Sequence, residues 1–273
     1  MNSFGLGLRK KIVPELLEET HPIIDFVEVV PENWMNVGGY WKKQLDQLAQ
    51  KYRFVAHGIS LSIGSHNALN LKKLQRIKDF MMRYNIQEYS EHLCFSEYDN
   101  VHLFELLPLP FTKDAINLLV NKIHKAQDFL ERPLILENVC YYSSVEKEMS
   151  EADFIREIVQ RTGCKILLDI NNVYINANNH NLDALELLKQ MPLEAVEYLH
   201  VAGHQILETG FIIDSHKQAI SPQVFQLLDQ IYPVINRQVP ILLERDGNFN
   251  GLQPLVNELH QLENLVQQYS INA

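Results

Sequence analysis

Cysteine is scarce in this 273-residue chain. Cys94, Cys140 and Cys164 lie far apart, are odd in number and form no CxxC pair, which argues against a disulfide framework or a zinc ribbon. No run of about 18 apolar residues occurs, so no transmembrane helix is expected. The opening MNSFGLGLRKK lacks the apolar run and small-residue cleavage site of a secretory signal. A cytoplasmic protein without membrane contact is therefore expected. Glycine-rich phosphate loops are missing too: Gly5 and Gly7 sit in GLGL without a third glycine, and no GxxxxGK[ST] appears, so a nucleotide-binding reading loses its main support. There is no low-complexity block, and positive charge is in deficit: 24 Lys and Arg against 34 Asp and Glu leave a net charge of -10. That balance disfavours binding along a nucleic-acid backbone, and no nucleic-acid partner is expected.

What the chain does contain is alternation. Eight short apolar runs recur: FGLGL (4–8), FVEVV (26–30), RFVAHGI (53–59), EYSEHL (88–93), LILENV (134–139), KILLDI (165–170), EYLHVAG (197–203) and ILLERD (241–246). Between them, apolar residues return at helical intervals over 40–51, 71–84, 113–130, 151–161, 181–190, 222–231 and 252–269. Strand-then-helix repetition predicts a parallel sheet. Eight units in 273 residues suit a closed (β/α)8 barrel spanning 1–273 as one domain better than an open doubly wound sheet. The connections after Leu93 and after Gly203 are long, and both leave from the strand ends where such barrels carry their chemistry.

Those ends carry metal-capable side chains: His57 in VAHG, His92 in SEHL, Glu137 in LENV, Asp169 in LLDINN, His200 in YLHVAG, and Glu244 and Asp246 in LLERDGN, with Asp214 and His216 added by DSH. Taken singly, a histidine here is an ordinary packed side chain and Asp169 a helix cap. Glu137 and Glu244 are harder to dismiss, because a carboxylate that follows LIL or ILL is rarely buried without a partner. Five carboxylates at one barrel mouth would repel strongly, and Arg245, on the opposite strand face from its neighbours, is poorly placed to offset them. Two or three metal cations would offset the charge, and a His, Asp and Glu donor set without cysteine suits catalytic metals with open positions. The remaining histidines, 21, 66, 102, 124, 180 and 260, lack such company, and Trp34, Cys94 and Cys140 read as packing residues.

In order, HGISLSIG, SEHL, LENV, LLDINN, HVAGH, DSH and ERDGN resemble the signature of the multinuclear non-haem iron-dependent oxidative enzymes, from about Gly5 to Asp246. The resemblance implies a xylose-isomerase-like TIM barrel holding two or three irons of mixed ferrous and ferric state, with O2 as co-substrate. It implies oxidation of a residue, usually cysteine, in a ribosomally made precursor peptide whose leader is presented by a small partner protein. Carried onto matching positions, His57, His92, Glu137, Asp169, His200, Asp214, His216 and Glu244 would be metal ligands. Asn138, Asn172, His204 and Asp246 would be ligands or would support them. The 94–112 connection, with Phe95, Tyr98, Phe104 and Phe111, would close over the peptide. Sugar isomerases or epimerases and AP-endonuclease-like phosphodiesterases, which use similar barrels with His/Asp/Glu metal sites, are the alternative.

Overall fold

The computed structural model describes residues 3–99, 101–143 and 145–270. Eight parallel strands, β1 (Phe4–Gly7), β2 (Phe26–Val29), β3 (Arg53–Gly58), β4 (Tyr89–His92), β5 (Ile135–Glu137), β6 (Lys165–Asp169), β7 (Val196–Ala202) and β8 (Ile241–Glu244), pair in chain order and close β8 onto β1. Helices follow every strand, so the architecture is a (β/α)8 TIM barrel. Every segment whose pattern predicts a strand is a barrel strand, within about two residues at each end.

Alternation along each strand builds two separate apolar layers. One set of side chains, Val27, Phe54, Tyr89, Leu136, Ile166, Leu199 and Leu243 among them, joins the large core beneath the helices. The other set, Phe26, Val55, Ile135, Leu167, Tyr198 and Leu242, forms a distinct buried plug inside the barrel. Two residues further along the same six strands stand Glu28, His57, Glu137, Asp169, His200 and Glu244, which the period of two directs to the same interior. β1 contributes only Gly5 and Gly7 there, and a Cβ at Gly5 would collide with the Phe26 ring. The barrel is thus plugged by hydrocarbon below and lined with polar groups at its C-terminal mouth.

One helix and two hairpins depart from the periodicity. A helix at Ile170–Asn179 begins directly at the end of β6, with the Asp169 side chain accepting from the Asn172 amide as its N-cap. Its asparagine-rich sequence, INNVYINANN, hides the helical pattern because Asn171, Asn172 and Asn176 are buried and hydrogen-bonded in place of apolar residues. The connection after β4 carries a hairpin, Phe95–Tyr98 paired with Val101–Leu107, and the one after β7 carries a smaller hairpin, Gln205–Ile206 with Ile212–Ile213. Gly203 lets that second connection fold back, since a Cβ there would strike the carbonyl oxygens of Gln218 and Ala219. Among the described residues no helix is long and apolar enough to cross a membrane.

Candidate metal centre

At the mouth the strand ends converge into three overlapping groups of candidate ligands, His57–His92–Glu137, Glu137–Asp169–His200 and Asp169–His216–Glu244, each with ligand atoms within 4.8 Å of one another. Glu137 belongs to two groups and divides its oxygens between them. Its Oε2 lies 3.2 Å from His57 Nε2 and 3.3 Å from His92 Nε2, and its Oε1 lies 3.5 Å from His200 Nδ1. Asp169 divides likewise: Oδ1 caps the helix, and Oδ2 faces His200 Nδ1 at 3.9 Å. Glu244 Oε2 lies 3.3 Å from His200 Nδ1 and 3.4 Å from His216 Nδ1.

The donor atoms fit metal ions better than they fit one another. Glu137 Oε2, Asp169 Oδ2 and His200 Nδ1 are buried and have no hydrogen-bond partner. Buried polar atoms are almost always paired, so several at one spot, close together but not aligned as donor and acceptor, mark a place where lone pairs converge on a common centre. In the absence of an ion, charges within the ring compensate one another. Burial alone would raise the Glu137 carboxyl, but His92 and His57 hold it below the ordinary carboxylate range. Burial opposes charge on His92 as well, yet Glu137 and Glu91 push it up to about 9. Asp169 is driven the other way: burial first, then the Glu137 charge, push it well up.

The remaining candidates take supporting positions. Asp214 Oδ1 lies 2.6 Å from His216 Nε2 and accepts from Asn171 Nδ2 at 3.0 Å, so it borders the third group without being one of the three residues that define it. Asn138 brackets Asp169, accepting from its backbone amide at 2.9 Å and donating to its carbonyl at 3.0 Å. Asn172 donates its backbone amide to Asp169 Oδ1 at 2.7 Å and its side-chain amide to the Asn138 carbonyl at 2.9 Å. His204 stands apart from the three groups, bonded through Nδ1 to Asn171 Oδ1 at 2.8 Å and stacked on Tyr174. Asp246 is 3.7 Å from His216 Nδ1 and accepts from Arg9.

Two positions at the mouth escape a search for strand-end ligands. Arg9, just past β1, donates from Nη2 to Glu244 Oε1 at 2.9 Å and from Nε to Asp246 Oδ1 at 2.7 Å. It is the positive charge the ring of carboxylates requires. Arg245 turns away, as its strand position predicts, and pairs with Glu258 at 2.7 Å. Glu28, in the middle of FVEVV, is 2 % exposed and bonds His200 Nε2. The reasoning that singles out Glu137 and Glu244, a carboxylate set among β-branched residues, applies equally to Glu28.

Above the groups opens a cavity of about 490 Å³, bordered by Arg9, His92, Cys140, His216 and the hairpin residues His102 and Phe104. Of the aromatics in that connection, Phe104 borders the cavity, whereas Phe111 is buried in the main core and Phe95 packs against it. Trp34 is likewise a packed residue, edge-on to Trp41. Cys94 is buried. Cys140 is half-buried in the cavity wall with its thiol 2.9 Å from Asn172 Oδ1, and burial, with Asp214 and Asp169, pushes that thiol well up.

The profile of a family described as the RiPP precursor modification enzyme MbnB/TglH/ChrH, RiPPs being ribosomally synthesised and post-translationally modified peptides, matches residues 3–267. The chain belongs to this family. Relatives of this chain include a UPF0276 protein of Acinetobacter baylyi, 44% identical over 269 residues and covering 98% of this chain and 92% of that one. Another, from Shewanella oneidensis, is 43% identical over 258 residues, covering 94% and 92%. Solved structures of the same shape include an L-ribulose 3-epimerase, with a TM-score of 0.62, 12% identity and coverage of 100% and 99%. Endonuclease IV from Thermus thermophilus has a TM-score of 0.62, 15% identity and coverage of 97% and 99%. At such identities the likeness is one of fold alone. Membership of the MbnB/TglH/ChrH family makes the chain a member of a group of peptide-modifying enzymes, and the clustered His, Glu and Asp residues are where this member has the means to bind metal.

Proposed function

We propose that the barrel mouth holds two or three iron ions, ferrous and ferric together, and that the chain uses O2 to oxidise a residue, cysteine foremost, of a ribosomally made precursor peptide. The observation that carries this reading is the sharing of Glu137 and Asp169 between neighbouring ligand groups, with Glu137 Oε2, Asp169 Oδ2 and His200 Nδ1 buried and unpaired between them. His57, His92 and Glu137 would hold the first ion, Glu137, Asp169 and His200 the second, and Asp169, His216 and Glu244, with Asp214 alongside, the third. Imidazole and carboxylate donors without thiolate suit iron and leave positions open for exogenous ligands. When bound, the ions would supply Lewis acidity toward a substrate thiol and electrons for O2.

The protein's own groups orient and shield. Asn138 and Asn172 hold Asp169, and Arg9 holds Glu244 with one oxygen turned toward His200 and His216. Cys140, tied to Asn172 Oδ1 and kept as a thiol, does not compete with a substrate thiolate. The hairpin forms one wall of the cavity; its inner strand, Phe95–Tyr98, is bonded to Ser62, and its largely exposed outer strand, Val101–Leu107, is of the kind that holds extended peptides through main-chain hydrogen bonds. A small protein presenting the peptide's leader, and a cytoplasmic setting, belong to the same reading.

The test is to purify the chain anaerobically, load it with iron, and expose it to O2 with a cysteine-containing precursor peptide encoded nearby. A mass change on the peptide cysteine, absent in His92→Ala and Glu137→Ala, is the expected result. Binding of zinc or manganese alone, with no O2 uptake in the presence of the peptide, would contradict it and favour the epimerase-like chemistry of other barrels of this shape.

A further inference from the structure

Beneath the candidate ligands runs a continuous buried chain of hydrogen bonds. His57 Nδ1 lies 2.8 Å from Ser90 Oγ, and Ser90 Oγ lies 2.7 Å from Tyr198 Oη. Tyr198 Oη donates to Glu28 Oε2 at 2.8 Å, and the same oxygen lies 3.0 Å from His200 Nε2. None of the five residues is more than 3% exposed. They come from β2, β3, β4 and β7, so the chain crosses the barrel interior between the apolar plug and the mouth.

The direction of each bond follows from which groups carry protons. The Glu28 carboxylate accepts from Tyr198 Oη and from His200 Nε2. Tyrosine has a single proton, already given to Glu28, so at the 2.7 Å contact Tyr198 accepts from Ser90, whose hydroxyl has the Ala56 carbonyl oxygen, at 3.3 Å, as its more distant acceptor. Ser90 Oγ is then the acceptor for His57 Nδ1. Both imidazoles are thereby held as donors on their inward sides, which turns their other nitrogens, His57 Nε2 and His200 Nδ1, toward Glu137, with His57 Nε2 also 3.3 Å from His92 Nε2. Such a tautomer is the one a metal requires, and it is set by the hydrogen bond on the opposite nitrogen. The fold itself does not need polar groups at this level: at the position two residues before the mouth residue, β3, β5, β6 and β8 carry Val55, Ile135, Leu167 and Leu242, whereas β4 and β7 carry Ser90 and Tyr198.

We propose that Glu28, Tyr198 and Ser90 act as one positioning unit that couples the first and second ligand groups, so that metal binding by His57, His92 and Glu137 depends on Glu28. Glu28 forms no hydrogen bond with any of those three; beside its direct charge attraction to His57, the hydrogen-bonded route between them runs through Tyr198 and Ser90. The inference rests on reading the groups as metal sites, and the experiment separates the two.

Asp169→Asn removes the carboxylate shared by the second and third groups, while asparagine still caps the following helix. On that background, Co2+ is titrated and its d–d absorption followed, so that the first group alone is observed. Glu28→Gln and Ser90→Ala are each expected to weaken Co2+ binding about tenfold, the range for residues that hold metal-bound histidines. The double substitution is expected to be no worse than the more severe single one, because a chain broken once is broken. Tyr198→Phe, which keeps the ring and its packing, is expected to match them, with metal-free thermal midpoints and circular dichroism confirming folded proteins. Unchanged Co2+ affinity in Glu28→Gln, or effects that multiply in the double variant, would overturn the coupling. Failure of the unsubstituted protein to bind Co2+ at all would overturn the metal reading, and the coupling with it.

Discussion

Glu137 concentrates the chemistry of the mouth in one side chain. It is 2 % exposed, its oxygens face two different groups, and three histidines surround it. Substitutions behind metal ligands cost roughly 10–100-fold in affinity, so loss of a shared ligand costs at least about that much in both groups. Glu137→Gln is therefore expected to lose metal from the first and second groups together, whereas Glu244→Gln loses it from the third alone. Metal analysis after anaerobic dialysis distinguishes them, and equal losses from the two variants would contradict the sharing. Arg9 plays the opposite part. Its guanidinium neutralises Glu244 and Asp246 when no ion does, so Arg9→Gln is expected to cost the metal-free protein about 1–2 kcal/mol, since hydrogen bonds between charged groups are strong but this one is partly solvated. Thermal unfolding with and without metal checks this: the deficit shrinks when metal is present, and an equal deficit in both states would contradict it.

At the scale of elements, the barrel was legible because each strand is buried on both faces, which leaves short continuous apolar runs separated by helical periodicity. The same property made the mouth legible: a polar residue ending an all-apolar run, as in LILE and ILLE, has few reasons to be there. Four things were hidden. Glu28 lies inside its run and Arg9 lies beyond its strand with no acid beside it, so neither reads as a strand-end ligand. The helix at Ile170–Asn179 buries asparagines that imitate a loop. His102, grouped with the ordinary histidines, sits on a hairpin that only tertiary folding brings to the cavity. That hairpin carries a prediction of its own. Phe104 borders the cavity and is 86% exposed, its ring touching only that of His102 among the ring contacts of the described residues. Phe104→Ser is expected to raise KM for the precursor peptide on the order of fivefold to tenfold, with kcat and metal content little changed. An unchanged KM would remove the hairpin from peptide recognition.

Across the whole molecule, a hydrocarbon plug, a buried hydrogen-bonded layer and a ring of His, Asp and Glu side chains are stacked along one barrel axis, and the polar layers gather at the C-terminal mouth. Similar barrels in sugar epimerases and endonuclease IV show that the fold leaves the chemistry open; the family match directs it toward peptides. The central claim is that several metal ions, iron by this account, share Glu137 and Asp169. Anomalous diffraction at the iron edge, from crystals of the anaerobically iron-loaded protein, tests it most directly. Two or three iron peaks are predicted among the residues of the three groups, with Glu137 and Asp169 each beside more than one of them. A single peak, or none among these residues, would contradict the account.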